Sequence, residues 1–380
     1  MATYSKLQVP DGNPVAAVQG FLASLLTESI VEAVFTPCEQ GGTIMPALVR
    51  DPEKLAAANP LSPAFPLNAA RQLSRLTHGE GSGKVAAVLR PCEIRAFVEL
   101  VKLNQGSLDN LLVIGTDCLG AYDNRTCSTL FSDQSPTEAT LQFLQQHQPG
   151  NSGPQPAAEI AKACRACEFP GPQGADLVIG MIGRDVTDSL SIISRTAKGE
   201  GVISRLGLTD GADPGPRDKA LETLVRERSE YRDTMFEEVA AKTDTLEKLS
   251  DYLAGCVNCY NCRVACPVCY CKECVFATDV FDHKPWQLLN WAGKNGSIKM
   301  PTDTVFYHLT RLAHMSTACV GCGQCSNACP NDIGVMELFR MVASGTQDVF
   351  GYQAGRSPSE PAPLAVFREE EFLEVTRQEH

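Results

Sequence analysis

Short apolar runs alternate with helical apolar periodicity in the amino-terminal half of the chain. Apolar residues recur at helical spacing from Val15 to Ile30, and Val31 to Thr36 then alternates like a short strand. Three later runs are continuously apolar, as in strands buried on both faces of a sheet: 85–89, 111–115 and 177–182. Helical stretches at 67–77 and 93–103 lie beside the first of them. This alternation predicts an α/β domain over residues 1–215.

The carboxyl-terminal half has a different pattern. Residues 216–254 are charged with one apolar stripe, which predicts a helical connector. Residues 255–345 are predicted as a second domain, in which Pro301, Thr302 and Asp303 begin a helix that runs to Ser316. Residues 346–380 are rich in Ser, Pro and Glu and predict an extended or disordered tail.

Composition narrows the classes of function. The chain has 380 residues, enough for two or three domains, and its net charge of −12 argues against a nucleic-acid partner. No apolar run approaches the length of a membrane span, and Met1 to Pro10 lacks the apolar core of a signal peptide. We therefore expect a cytoplasmic protein with no direct membrane span.

Eleven of the seventeen cysteines lie between residues 256 and 329. Eight of these form two runs with the spacing C-x2-C-x2-C-x3-C-P: Cys256, Cys259, Cys262 and Cys266, then Cys319, Cys322, Cys325 and Cys329. In two-cluster ferredoxins the fourth cysteine of each run ligates the other cluster.

That rule gives two interlocked sets of ligands. We expect one [4Fe-4S] cluster on Cys256, Cys259, Cys262 and Cys329, and a second on Cys319, Cys322, Cys325 and Cys266. The long segment between the runs, with its helical signal, favours a helical ferredoxin-like 2[4Fe-4S] domain. The alternative is a pair of zinc sites, which usually use two C-x2-C pairs without the fourth cysteine before proline.

Two predicted strands end at a cysteine. Cys92 follows the run at 85–89, Cys118 follows the run at 111–115, and the pair Cys164 and Cys167 precedes the run at 177–182. Since ligands gather at the carboxyl ends of strands in open α/β sheets, these four cysteines could hold a third [4Fe-4S] cluster. Alternatively, Cys92 and Cys118 are small buried residues. Further candidate ligands are Cys127, Cys269, Cys271 and Cys274.

The first predicted helix has a plausible start for binding a phosphate. Asn13 is placed as the N-cap and Pro14 as the first helical residue. Free backbone N–H groups at such a start can hold the phosphate of a dinucleotide, although most such starts are only caps.

Four stretches together resemble the beta subunit of methanogen-type formate dehydrogenase, which is related to the beta subunits of deazaflavin-reducing hydrogenases. They are residues 90–105, residues 114–118, residues 164–177 and the cysteine-rich region with residues 266–274 and 311–315. The resemblance spans about Val15 to Val342 in the same order. Where the family usually has a Gly-Gly pair, this chain has Gly12-Asn13-Pro14.

The resemblance implies an iron-sulfur flavoprotein. It implies FAD bound without a covalent bond in the α/β domain, and a cluster on Cys92, Cys118, Cys164 and Cys167. We expect the FAD contacts at Asn13, Pro14, Val15, Ser62 and Pro63. The implied partner is a molybdenum or tungsten formate dehydrogenase subunit or a hydrogenase subunit.

The sequence thus predicts an oxidoreductase subunit that passes electrons between [4Fe-4S] clusters and a two-electron carrier at FAD. No general acid or nucleophile is expected, and His314 is expected to pack within its helix rather than to act as a catalyst. The alternative function is a flavin-free iron-sulfur adaptor that links two redox enzymes, with heterodisulfide-reductase-like subunits as partners. A zinc-stabilised scaffold is the third interpretation.

Overall fold

The apolar runs of the amino-terminal half form one mixed sheet. The computed structural model describes residues 3–79, 83–150, 156, 158–208, 215–278, 284–296 and 303–366. The strands are β1 (Tyr4–Gln8), β2 (Ala33–Gln40), β3 (Thr43–Val49), β4 (Val85–Leu89), β5 (Leu111–Thr116), β6 (Leu177–Gly180) and β7 (Ser189–Ser194). Their order across the sheet is β1-β7-β6-β5-β4-β2-β3. The buried strands predicted at 85–89 and 111–115 are confirmed.

The centre of the sheet is parallel and its edges are antiparallel. β2, β4, β5 and β6 pair in parallel, whereas β3 pairs antiparallel with β2, and β7 pairs antiparallel with both β6 and β1. The carboxyl ends of β4 and β5 are therefore neighbours, which places the residues that follow them at one edge of the sheet.

Fourteen α-helices accompany the sheet within the part of the chain that the structure describes. They are α1 (Pro14–Thr27), α2 (Ala70–Thr77), α3 (Pro91–Lys102), α4 (Asn124–Asp133), α5 (Pro136–Gln146), α6 (Lys162–Arg165), α7 (Ala197–Arg205), α8 (Gly215–Thr243), α9 (Leu246–Tyr252), α10 (Asn261–Ala265), α11 (Pro285–Asn295), α12 (Asp303–Met315), α13 (Gln324–Asn327) and α14 (Val335–Val349). Short 3₁₀ turns lie at Pro10–Gly12, Pro52–Ala57 and Val275–Ala277. The predicted helix start at Pro301 and Thr302 lies outside the described residues.

Each face of the sheet has its own apolar core. Alternate residues of β4 point to opposite sides, so Ala86 and Val88 pack with α1, whereas Val85 and Leu89 pack with α2 and α3. The second core continues into the cysteine-rich half, where it includes Tyr307 of α12 and Phe339 of α14. The ferredoxin-like half therefore folds against one face of the sheet, on the α2 and α3 side.

The structure differs from the sequence prediction in the connector and in the tail. The connector is interrupted at Thr245, which caps α9, so two helices replace one. α14 continues to Val349, past the predicted start of the tail. Beyond it the chain is partly anchored, because the side chain of Arg95 donates from Nε to the carbonyl oxygen of Ala354 at 3.0 Å.

Among the described residues, no helix combines the length and the apolar character that crossing a membrane requires.

Candidate iron-sulfur sites

The two cysteine runs share one loop conformation. In the first run Asn258 and Tyr260 have positive φ angles of 51° and 59°, and in the second run Gly321 and Gly323 have φ angles of 69° and 80°. These residues occupy equivalent positions, two and four places after the first cysteine of each run. A short helix follows in both cases, α10 in the first run and α13 in the second. The left-handed residues turn the loop so that its first three cysteines lie on one concave side.

The first set of ligands lines a small pocket. Its lining includes Cys256, Cys259, Cys262 and Cys329, so the fourth cysteine of the second run lies beside the first three of the other run. Cys259 is exposed and Cys262 is buried. This arrangement agrees with the predicted exchange of the fourth cysteine, and it brings one edge of the site to the protein surface.

Three side chains of α12 contact the sulfur atoms of this first set. Arg311 donates from Nη1 to Cys262 Sγ at 3.1 Å, and the hydroxyl of Tyr307 lies 3.4 Å from the same sulfur. His308 Nε2 lies 3.4 Å from Cys256 Sγ. Burial, together with the nearby Arg311, lowers the pKa of His308 to about 4, so its ring is neutral at pH 7. Hydrogen bonds to cluster sulfur atoms are one of the means by which proteins set a cluster's reduction potential.

The second set of ligands combines cysteines of both runs, and all four are half-buried. Burial raises the pKa of Cys266, and the neighbouring Cys319 raises it further. Burial likewise raises the pKa of Cys325, with Cys266, Cys322 and Cys319 adding to the effect while Arg311 opposes it. These mutual effects place all four thiols of the set close together. Because such thiols resist ionisation alone, binding a metal must displace their protons.

The third set lies at the carboxyl edge of the sheet. Cys92 is the second residue of α3, directly after β4, and Cys118 follows β5, as the sequence predicts. These two cysteines line a small pocket together with Cys164 of α6 and Cys167. Burial, with Cys118 and Cys167 nearby, raises the pKa of Cys164 to about 12. The structure therefore brings together the four cysteines that the resemblance had implied.

The three sets form a row. Burial raises the pKa of Cys92, and the next contribution comes from Cys322, which belongs to the second set. Cys322 also lines the pocket of the third set. At the other end of the second set, Arg311 hydrogen-bonds to Cys262 and is close to Cys266 and Cys325. The order is third set, second set, first set, from the sheet to the surface at Cys259.

Buried N–H groups at each set test whether the sites fit an iron-sulfur cluster. Arg90 Nη1, Arg311 Nε and Arg340 Nη1 are buried and have no hydrogen-bond acceptor in the part of the chain that the structure describes. Arg90 lines the pocket of the third set, and Arg340 opposes the burial-raised pKa of Cys319. Buried donors are nearly always paired, and the sulfide atoms of a cluster accept hydrogen bonds. The donors and the thiols therefore fit [4Fe-4S] clusters.

Among the described residues, no group of three or more His, Cys, Asp or Glu side chains is placed to hold a single metal ion. The cysteines of the first and third sets instead line the walls of pockets.

The remaining cysteines lie outside the three sets. Cys127 is buried in α4, and its sulfur lies 3.9 Å from the carbonyl oxygen of Pro63. Cys269 is buried beside Cys266, while Cys271 is exposed. Cys274 is half-buried. A ligand role for Cys127, Cys269, Cys271 and Cys274 stays a prediction.

The expected flavin contacts have internal partners. The Asn13 side chain accepts the N–H of Ala16 at 3.1 Å, as an ordinary helix cap does. The carbonyl oxygen of Ser62 accepts from Arg90 at 2.6 Å, and that of Pro63 accepts the N–H of Tyr122 at 2.9 Å. Pro14, Val15, Ser62 and Pro63 are all buried. These contacts support a structural role, and the flavin contacts stay a prediction.

A larger pocket of about 500 Å³ lies beside all three sets. Its lining includes Cys164 of the third set, Cys322 of the second and Cys329 of the first, as well as Phe65 and Tyr122. Its volume lies within the range of sites that bind drug-sized ligands, about 300–1,000 Å³.

The arginines around the cysteines are the functional candidates that sequence reasoning missed. Their partners are far away in the chain: Arg228 of α8 donates to the carbonyl oxygens of Cys118 and Leu119. The spacing of Tyr307, His308 and Arg311 on one helix between the two runs was the available signal. The expectation that His314 packs within its helix is wrong, because this side chain is exposed and His308 is the buried histidine.

Comparison with known proteins agrees with this site. Residues 314–333, which hold the second run, match the family model of the 4Fe-4S binding domain. A beta subunit of F420-dependent formate dehydrogenase from Methanocaldococcus jannaschii is 27% identical over 309 residues, which are 75% of this chain and 77% of that protein. The beta subunit of F420-dependent formate dehydrogenase 1 from Methanococcus maripaludis is 28% identical over 308 residues, 74% of this chain and 75% of that protein. This chain is related to formate dehydrogenase beta subunits. The resemblance found in the sequence is thereby confirmed.

One solved structure has a weak likeness to this chain. A chain of the F420-reducing [NiFe] hydrogenase complex from Methanosarcina barkeri, in a xenon-derivatised form, has a TM-score of 0.42 and 14% sequence identity. The match covers 64% of this chain and 94% of that chain.

Proposed function

We propose that this chain is the electron-transfer subunit of a formate dehydrogenase or hydrogenase type complex. The observation that carries the proposal is the row of three thiol sets, in which Cys92 lies beside Cys322 and Arg311 lies between Cys262 and Cys266. When bound, the clusters would supply one-electron carriers and FAD would connect them to a two-electron carrier. The relatives named as formate dehydrogenase beta subunits support this assignment.

In this proposal the chain's own residues would bind the clusters, surround them with protein and position them for electron transfer. Twelve cysteines would ligate the clusters: Cys256, Cys259, Cys262 and Cys329; Cys319, Cys322, Cys325 and Cys266; Cys92, Cys118, Cys164 and Cys167. The half-buried second set would form the middle of the row, whereas exposed Cys259 would bring its end to a surface where a partner subunit can exchange electrons. The partner would be a molybdenum or tungsten formate dehydrogenase subunit or a hydrogenase subunit.

One pocket supports the proposal of a bound flavin, whereas the start of α1 does not. The pocket of about 500 Å³ touches one cysteine of every set and has aromatic walls at Phe65 and Tyr122. We propose this pocket as the flavin site.

The second candidate function is a flavin-free adaptor between two redox enzymes, in a heterodisulfide-reductase-like assembly. It is favoured by Asn13, which the structure shows as an ordinary helix cap whose side-chain oxygen already accepts the N–H of Ala16. The three thiol sets would be the same in both functions.

Flavin released from the anaerobically purified chain separates the two functions. We expect about one FAD per chain after incubation with FAD, and a bulky Ala161→Trp change at a half-buried position in the lining of the large pocket should reduce it severalfold while iron stays the same. The control is Ala23→Trp at a half-buried position on the outer part of α1. No FAD in the wild-type chain, with full iron, would favour the adaptor and contradict the flavin-linked function.

A further inference from the structure

Arg311 lies between the first and second thiol sets and is almost fully buried. Its side chain is 4% exposed. Nη1 donates to Cys262 Sγ and Nη2 donates to the carbonyl oxygen of Cys262, both at 3.1 Å. Nε has no partner among the described residues. The guanidinium therefore donates two hydrogen bonds to Cys262 of the first set, and its Nε–H group has no acceptor among the described residues.

Within the described residues, the groups that act on Arg311 are thiols and a tyrosine hydroxyl, and no carboxylate pairs with it. Burial acts to lower the pKa of Arg311, but Cys262, Tyr307, Cys266 and Cys325 outweigh burial and raise it. Cys262 belongs to the first set, and Cys266 and Cys325 belong to the second. The rings of Tyr307 and Phe339 cover the guanidinium, with Cζ 5.6 Å and 4.7 Å from their centroids. These rings keep water away, so the charge acts at short range and with little screening.

A buried cation without a carboxylate is costly unless another negative group lies close to it. Clusters held by four thiolates are such groups, and each becomes more negative when it is reduced. A cation beside a cluster stabilises the reduced form and raises its potential, and a hydrogen bond to a ligand sulfur acts in the same direction.

We propose that Arg311 is a positioning residue that raises the reduction potentials of both clusters of the ferredoxin-like half, by hydrogen bonding at the first set and by its charge at the second. This inference rests on the proposed function, because it requires clusters at both sets. Arg311 has no proposed role at the third set, because the arginines that line the pocket of that set are Arg90 and Arg228.

The test is a redox titration followed by electron paramagnetic resonance on the full chain with its clusters in place, with iron counted in each sample. Arg311→Met removes the charge and the donors at similar volume. We expect two of the three transitions to move to lower potential, each with about a tenfold fall in the ratio of reduced to oxidised cluster at the wild-type midpoint, which is 59 mV for one electron. The third transition should stay in place.

Arg311→Lys separates the two effects, because lysine keeps the charge but loses the planar fork. We expect one of the two shifted transitions to return to the wild-type potential and the other to stay lowered. Arg71→Met is the matched control. Arg71 donates from the surface to the carbonyl oxygen of Val264, which lies in α10 together with Cys262. All three potentials should be unchanged in this variant.

The outcomes distinguish a failure of the inference about Arg311 from a failure of the proposed function on which it rests. Wild-type potentials in an Arg311→Met chain with full iron would overturn the inference, as would lost iron with unchanged potentials in the remaining clusters. Fewer than three titrating clusters in the wild-type chain would instead overturn the proposed function for the missing site. If the missing site is one of the two that Arg311 contacts, the inference fails with it.

Discussion

Replacing Cys266 and Cys319 together is expected to remove no more iron than replacing either one alone. The two cysteines belong to different runs, yet burial and the neighbouring Cys319 raise the pKa of Cys266, so they face the same site. Each single change to serine should lower iron by about four atoms per chain, because one cluster of four irons loses a ligand. The double variant should also lose about four.

A double variant of two cysteines from the same run is expected to lose more iron than either single variant. Cys266 and Cys256 lie in the same run, but Cys256 lines the pocket of the first set with Cys329. The double variant Cys266→Ser with Cys256→Ser should lose about eight irons, since two clusters are affected. Cys38→Ala is the control, because this buried cysteine of β2 lies in the α1-side core. A loss of about four irons in this pair and eight in the first would show that each run holds its own cluster.

Breaking the ion pair between Asp117 and Arg217 is expected to lower the free energy of unfolding by about 3–5 kcal/mol. The side chains are 0% and 4% exposed, and Arg217 donates from Nε and Nη2 to the two carboxylate oxygens. Asp117 also accepts the backbone N–H groups of Met181 and Ile182. Arg217→Met would therefore leave a buried carboxylate without its cation, directly before Cys118.

Thermal and urea unfolding followed by circular dichroism measure this effect. The control is Arg125→Met, because the Arg125 to Asp332 pair has side-chain exposures of 69% and 67% and should contribute less than about 1 kcal/mol. The double change Asp117→Leu with Arg217→Met should recover part of the loss, since no unpaired charge remains, but the N–H groups at 181 and 182 would lose their acceptor. An Arg217→Met chain as stable as the control variant would contradict this account.

The sequence predicted those parts of the fold that local patterns specify. β4 and β5 are continuous apolar runs buried on both faces, and their ends carry Cys92 and Cys118 where expected. The edge strands were missed for a physical reason. β1 is a short, mixed polar and apolar segment that becomes a strand only by pairing with β7, about 185 residues later, and such pairing leaves little local trace.

The candidate site was predictable in its ligands and not in its surroundings. Cysteine spacing identified the two runs, since that spacing reflects cluster geometry. The buried arginines have no such signature. Arg95 donates to the carbonyl oxygens of Ala354 and Val320, which are more than two hundred residues away, so only the folded chain shows that it lies beside the second and third sets.

The most direct test of the central claim is the content of iron and acid-labile sulfide in the anaerobically purified chain. Three [4Fe-4S] clusters predict about twelve irons and about twelve sulfides per chain, with a broad brown absorbance. About eight of each would remove the set of Cys92, Cys118, Cys164 and Cys167 from the row. A colourless chain with zinc and no sulfide would contradict the account at all three sites.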